Sequence, residues 1–216
     1  VSEQRSPEAR GTPRGLYALK PWYTRRLRVV VDGAAHRGIS PDVFTALGVV
    51  AAVGAGAAIA VAWWPVALVL LAARLAGANL DGAVARARGV SRPWGFVLNE
   101  VGDRASDLAM FAGLTLLAVR TPEAVWVGPS WPAVAWVLTA AVAAGLPTFA
   151  SLAAAGAGAP RLNGGPFGKT ERCLAAVVAA AVPTWLPAIA ALVAVGSLAT
   201  AAVRLVRSHD ALGAAA

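Results

Sequence analysis

Two neighbouring apolar stretches carry a concentration of polar and ionisable residues. Arg74, Asn79, Asp81 and Arg86 fall in the first, and Asn99, Glu100, Asp103, Arg104 and Asp107 in the second. On a helix, Asn99, Asp103 and Asp107 recur every fourth residue and share one face, with Glu100 at its edge. Arg74 and Asp81 lie seven residues apart, two turns along one face of the other stretch. Acidic faces opposed across a helix pair repel unless a cation lies between them, and an all-oxygen ligand set selects a hard ion, Mg²⁺ or Mn²⁺. The competing reading is a set of arginine–carboxylate pairs that locks helices together. The density of acids favours the metal, because ionisable groups in a membrane segment face a cavity or a partner. Gly82, with Ala78, Ala83 and Ala85, leaves room for a nucleotide against the helix or for close helix packing.

The elements that hold these residues read as membrane helices. Hydrophobic residues make up 58% of the 216 and charged residues 14%, where a soluble domain has about half and about a quarter. Cys173 is the single cysteine, so an intramolecular disulfide is excluded. Six apolar segments run over 42–62, 64–86, 94–119, 131–153, 170–184 and 185–207. A bilayer core of about 30 Å needs about 20 helical residues, which the fifth segment does not reach. Trp63, Trp64, Trp126, Trp131 and Trp185 sit at segment ends, where interfacial aromatics belong.

The net charge of +8 is segregated by loop. Basic residues gather in the N-terminal region, after the second segment (Arg86, Arg88, Arg92), after the fourth (Arg161, Lys169, Arg172) and at the C-terminal end (Arg204, Arg207), while the loops between carry Arg120 alone. That alternation predicts a multi-pass protein with both termini cytoplasmic, and it excludes nucleic acid as the reason for the charge. The predicted fold is all-α: six transmembrane helices over 42–207, preceded by an interfacial amphipathic helix. Residues 1–14 read as a flexible tail and 208–216 as a C-terminal tail. Residues 15–41 read as the juxtamembrane helix, because Leu16, Leu19, Trp22 and Tyr23 alternate with Lys20, Arg25, Arg26 and Arg28. Ser40-Pro41-Asp42 is a helix start, and the short loop after Arg86 predicts antiparallel packing of the second and third segments.

The run Ala78-Asn79-Leu80-Asp81-Gly82-Ala83-Val84-Ala85-Arg86, then eight residues to Gly95, then Asn99 and Asp103, resembles the CDP-alcohol phosphotransferase pattern D-x-x-D-G-x-x-A-R, eight residues, G-x-x-x-D-x-x-x-D. The second acid, both glycines, Ala85, Arg86 and the last acid are in register. Ser40 to Thr45 is similar to that family's entry into its first span, and Gly168-Lys169-Thr170-Glu171-Arg172 to a basic element before its fifth. Two positions depart from the pattern: Ala78 and Asn99 stand where the family has aspartates, each beside another polar residue, Asn79 or Glu100.

The resemblance implies a homodimeric bacterial plasma-membrane enzyme of phospholipid synthesis. An alcohol would attack the β-phosphorus of a CDP-linked lipid donor, CDP-diacylglycerol, and CMP would leave. A polyol phosphate such as glycerol 3-phosphate or inositol phosphate fits as acceptor. Asp103 takes the position of the general base. Asp42, Thr45, Asp81, Gly82, Ala85 and Arg86 match nucleotide-facing positions, and Arg74, Lys169 and Arg172 are candidates for an acceptor phosphate. Mg²⁺ or Mn²⁺, one ion or two, would be held by Asp81 and Asp103 with Asn99, Glu100 and Asp107. With two motif acids missing, Glu100 and Asp107 replace them, or one ion is lost, or Arg74 supplies the charge. A different class also fits: a catalytically silent homologue that binds nucleotide or lipid as a partner subunit.

Overall fold

The computed structural model describes residues 26–121 and 132–214, and among these every regular element is helical. Helix α1 spans Arg28–His36, α2 Pro41–Ala60, α3 Trp64–Ala87, α4 Pro93–Arg120, α5 Ala133–Gly156, α6 Lys169–Ala181 and α7 Leu186–Gly213. A 3₁₀ turn, Pro183–Trp185, joins α6 to α7. Four helical stretches are long and apolar enough to cross a membrane: Pro41–Ala60, Trp64–Ala87, Ala133–Gly156 and Pro183–Gly213. Helix α4 has the length, at 28 residues, but carries the polar cluster. Helix α6, at 13 residues, is about 20 Å long. Leu108, Val142 and Phe149 are among many large apolar side chains left exposed on the helix flanks, as lipid contact demands. Trp63, Trp64 and Trp185 are exposed at helix ends.

The predicted helix start is present: the Ser40 hydroxyl accepts from the Asp42 N–H at 3.4 Å, with Pro41 in the first turn. Of the expected juxtamembrane helix over 15–41, α1 falls within the described residues. It docks through Val31 and Ala34 onto Phe44, Leu80 and Val84. The tail over 1–14, residues 15–25 and the tryptophans at 126 and 131 lie outside the described residues. The last helix runs to Gly213, so most of the expected C-terminal tail is helical.

The expected direct packing of α3 on α4 is not what forms. Helix α2 packs closely against both, and the α3 and α4 backbones touch over a short stretch only. Glycine pairs explain this. A Cβ on Gly77 would stand 2.7 Å from the Phe44 carbonyl oxygen and 3.0 Å from the Gly48 Cα. A Cβ on Gly113 would run into the Gly56 backbone. Two glycine crossings, at Gly48 and Gly56, therefore hold α3 and α4 against neighbouring faces of α2 at backbone distance. Helices α5 and α7 form the second tight pair, and α6 lies between the two groups, in contact with α2, α3, α4 and α7.

Because the obstacles are backbone atoms, a larger residue must push the helices apart. Gly77→Val should destabilise the protein by about 1–3 kcal/mol. Gly145→Ala, where nothing lies within 4 Å of the added carbon, should be neutral or gain up to about 1 kcal/mol. Thermal unfolding of the two variants in detergent checks this; equal melting temperatures would show that the crossing tolerates separation.

Candidate active site

Three helices meet around Thr45. Its hydroxyl, on α2, donates to Asp81 Oδ2 on α3 at 3.0 Å. Its methyl group lies where a Cβ on Gly102 of α4 would come within 2.8 Å. The small residue at 102 thus lets α4 bring Asp103 up to the Thr45–Asp81 junction, and Asp81 lies within electrostatic reach of both Asp103 and Lys169. Asp81 Oδ1 also accepts from the Gly82 N–H at 2.5 Å. The Arg86 guanidinium folds back over Gly82, its Nη1 3.2 Å from where a Cβ would stand. Asp42 pairs with Arg92 from the α3–α4 loop, and Arg88 of the same loop donates to the Ile39 carbonyl at 2.7 Å. The expected nucleotide set of Asp42, Thr45, Asp81, Gly82, Ala85 and Arg86 is therefore gathered along the start of α2 and the second half of α3.

Beside this junction opens a cavity of about 430 Å³. Ala78 and Asn79 of α3, Asn99, Glu100, Asp103 and Arg104 of α4, Arg161 and the glycines of the α5–α6 loop, Lys169 and Arg172 of α6, and Arg204 of α7 all line it. Five cations face three carboxylates, those of Glu100, Asp103 and Glu171. Lys169 is paired with Asp103 Oδ1, and Arg161 with Glu100 while also stacking over the Phe96 ring at 4.8 Å. The buried Nε atoms of Arg104, Arg161 and Arg172 have no acceptor among the described residues. With five cations against three carboxylates, the wall itself suits an anion.

The loop that closes the cavity is fixed by local chemistry. Gly164 and Gly165 take positive φ values of 96° and 145°, which side-chain-bearing residues rarely adopt. The Thr200 hydroxyl accepts from the Phe167 N–H at 3.0 Å, Ser151 donates to the Leu162 carbonyl at 2.6 Å, and Arg204 donates to the Gly164 and Pro147 carbonyls at 2.9 and 2.8 Å. Glu171 accepts from the Gly168 N–H at 3.0 Å and caps α6.

Two expected roles are not met by this geometry. Asp107 is 5% exposed and surrounded by guanidinium groups: Arg74 at 2.5 Å, Arg104 at 3.0 Å and Arg172 at 3.3 Å. Its charge is compensated from three sides and it does not line the cavity, which speaks against the expected metal-ligand role. Arg74 is 1% exposed, bonded to Asp107 and to Cys173 Sγ at 3.1 Å, and stands behind the cavity with no face for an acceptor phosphate. Glu100, expected to replace the acid missing at Asn99, is engaged by Arg161. No cluster of three or more acidic, histidine or cysteine side chains suited to a metal forms among the described residues. Arg104, Arg161 and Arg204 are the functional candidates that sequence reasoning missed; the last two had registered only as loop charge.

No protein-family model matches the chain. A phosphatidylinositol phosphate synthase of Mycolicibacterium smegmatis is 38% identical over 96 residues, 43% of this chain. The match spans 42% of that protein, less than half its length. Among solved structures, the Mycobacterium tuberculosis phosphatidylinositol phosphate synthase with CDP-DAG bound is similar with a TM-score of 0.69 and 28% identity, covering 85% of this chain and 94% of that one. The M. tuberculosis protein in complex with manganese and citrate gives a TM-score of 0.70 at 28% identity, covering 86% of this chain and 90% of that one. The Asp81–Asp103 motif is in register with the CDP-alcohol phosphotransferase pattern, and the chain shares its fold with nearly the whole of a solved phosphatidylinositol phosphate synthase.

Proposed function

We propose that the chain transfers a phosphatidyl group from CDP-diacylglycerol to a polar alcohol that carries its own phosphate, and releases CMP. The observation that carries this reading is the cavity in which Asp103 shares a wall with five cations. The relatives support it: the structural neighbour of 28% identity has CDP-DAG bound. The nucleotide would lie along Thr45, Asp81, Gly82, Ala85 and Arg86, with Asp42 at the entrance. The acceptor's phosphate would be met by the guanidinium groups of Arg172, Arg104 and Arg161 that line the cavity. Lys169, expected in the same role, lines the cavity but is engaged by Asp103. The protein is read as a homodimer in the cell membrane, with six spans and both termini cytoplasmic.

A divalent ion fits these residues in part. A methyl group at Ala78 and an amide at Asn99 cannot complete a four-carboxylate, two-ion site. Asp81 and Asp103 can still hold one Mg²⁺ or Mn²⁺, since such ions take one or two carboxylates and complete their shell with substrate phosphate and water. When bound, the ion neutralises diphosphate charge at the reacting centre. Asp103 uses Oδ1 for Lys169, which leaves Oδ2 to take the proton of the attacking hydroxyl as it adds to the β-phosphorus. Arg86 offers a cation to the departing CMP phosphate. The cavity arginines orient the acceptor, so that its hydroxyl approaches in line.

The test is CMP release in detergent–lipid micelles with CDP-diacylglycerol, Mg²⁺ and a panel of glycerol, inositol and their monophosphates. Phosphorylated acceptors should be favoured at least about tenfold, the worth of one charge-assisted hydrogen bond. Arg161→Gln should raise the acceptor KM about tenfold, with kcat changed less; equal KM values for a phosphorylated acceptor and its parent alcohol would refute the phosphate subsite. Ala78, Asn99 and the Lys169–Asp103 pair also favour a second reading, a silent homologue that retains CDP binding. No turnover with any acceptor while CDP still binds would establish it.

A further inference from the structure

The cation requirement of this site differs from that of the four-carboxylate pattern it resembles. Ala78, Asn99, Asp103 and Lys169 all line the same cavity. Two of the pattern's acids are here a methyl group and a neutral amide. A methyl group cannot coordinate, and an amide brings no charge. Asp103 nevertheless has a cation: Lys169 Nζ, from a helix 66 residues further along the chain, pairs with its Oδ1. Both side chains are largely screened from solvent, at 25% and 18% exposure.

Charge balance makes the same point. Asp81, Asp103, Asp107, Glu100 and Glu171 stand against Arg74, Arg104, Arg161, Lys169, Arg172 and Arg204. Four aspartates need two divalent ions for neutrality. This cluster already holds more positive than negative charge, so a second divalent ion would enter against Coulomb repulsion that partial burial strengthens. One ion remains acceptable, because the donor's diphosphate brings compensating charge with it. A lysine ammonium is a compact point charge with three donors on a flexible stem, which suits it to stand where an ion would.

We propose that Lys169 is a resident cation that takes the charge-compensating place of a second divalent ion, so that each active site binds one metal ion rather than two. This rests on the transfer reading above for the identity of the site. Lys169 then acts as a positioning residue: it holds the Asp103 carboxylate in place before donor and metal arrive.

The test counts Mn²⁺ per chain by electron paramagnetic resonance titration in the presence of CDP. Three full-length proteins are compared: wild type, Lys169→Met, and Lys169→Met combined with Ala78→Asp and Asn99→Asp. The expected counts are one, one and two, with the single ion bound about tenfold more tightly once the neighbouring ammonium is removed. Size-exclusion and melting profiles confirm that each variant is folded. Two ions or none in the wild type, or a triple variant that folds and stays at one, overturns the inference. CMP release by the wild type is measured in parallel. Release with two ions bound sinks only the inference, and no release with one ion bound sinks only the transfer reading.

Discussion

Asp103→Asn should lower CMP release by about 10²–10⁴-fold, the range that a positioned general base contributes. The substitution keeps the shape of the side chain and removes its charge. It removes the charge opposite Lys169 in a partly buried pair, 25% and 18% exposed, but the amide oxygen can still accept from the ammonium. The loss in stability should therefore be about 1 kcal/mol. Turnover and stability thus separate: the variant should insert, elute and melt nearly as the wild type does while its rate collapses. Thr45, Asp81 and Gly82 keep their contacts, so CDP affinity measured without metal should change little, while its enhancement by Mg²⁺ should shrink because one of the ion's two carboxylates is gone. Single-turnover measurement with saturating donor distinguishes a slow chemical step from weak binding. Full activity in Asp103→Asn would remove Asp103 from the chemistry and leave the site without a base.

The local features of this fold were legible because their causes are local. Pro41 and Pro93 fix first turns of helices and Ser40 caps one of them, and such signals lie within a few residues of the boundary they set. The apolar segments follow from composition alone. The packing order was not legible. Gly48 meets Gly77, and Gly56 meets Gly113; glycine spacing within one helix does not say which partner it will meet. The same limit applied to the acids. Helical phase correctly put Asn99, Asp103 and Asp107 on one side of α4, but one face spans two environments. Asp103 borders the cavity, and Asp107, one turn on, is buried against α3 and α6. Arg161 and Arg204 reach the cavity through the pairing of α5 with α7 and the loop pinned between them, which no single segment encodes.

That difference between neighbouring turns makes Asp107→Asn the sharpest structural test. Asp107 joins three helices: Arg74 of α3, Arg104 of its own α4 and Arg172 of α6 all point their guanidinium groups at its two oxygens. Arg74 also donates to Cys173 Sγ on α6 and lies 3.5 Å from the Asp103 carbonyl, so the same cluster holds the backbone from which Asp103 projects. Replacing the carboxylate by an amide leaves buried guanidinium charge uncompensated, which costs about 3–5 kcal/mol when a buried pair is broken. For a protein of this size that is a fall in Tm of roughly 10 °C. Activity should drop as well, because α6 carries Lys169 and Arg172 into the cavity and loses its anchor to α4. The metal-ligand alternative makes the opposite forecast. If Asp107 bound a divalent ion, Asp107→Asn would weaken Mn²⁺ affinity, and the metal-free protein would melt at an unchanged or higher temperature, relieved of a carboxylate. Melting curves with and without Mn²⁺ therefore decide between them. A large loss in the metal-free protein, equal in size when Mn²⁺ is present, identifies Asp107 as the electrostatic joint of α3, α4 and α6, and leaves the ion to Asp81 and Asp103.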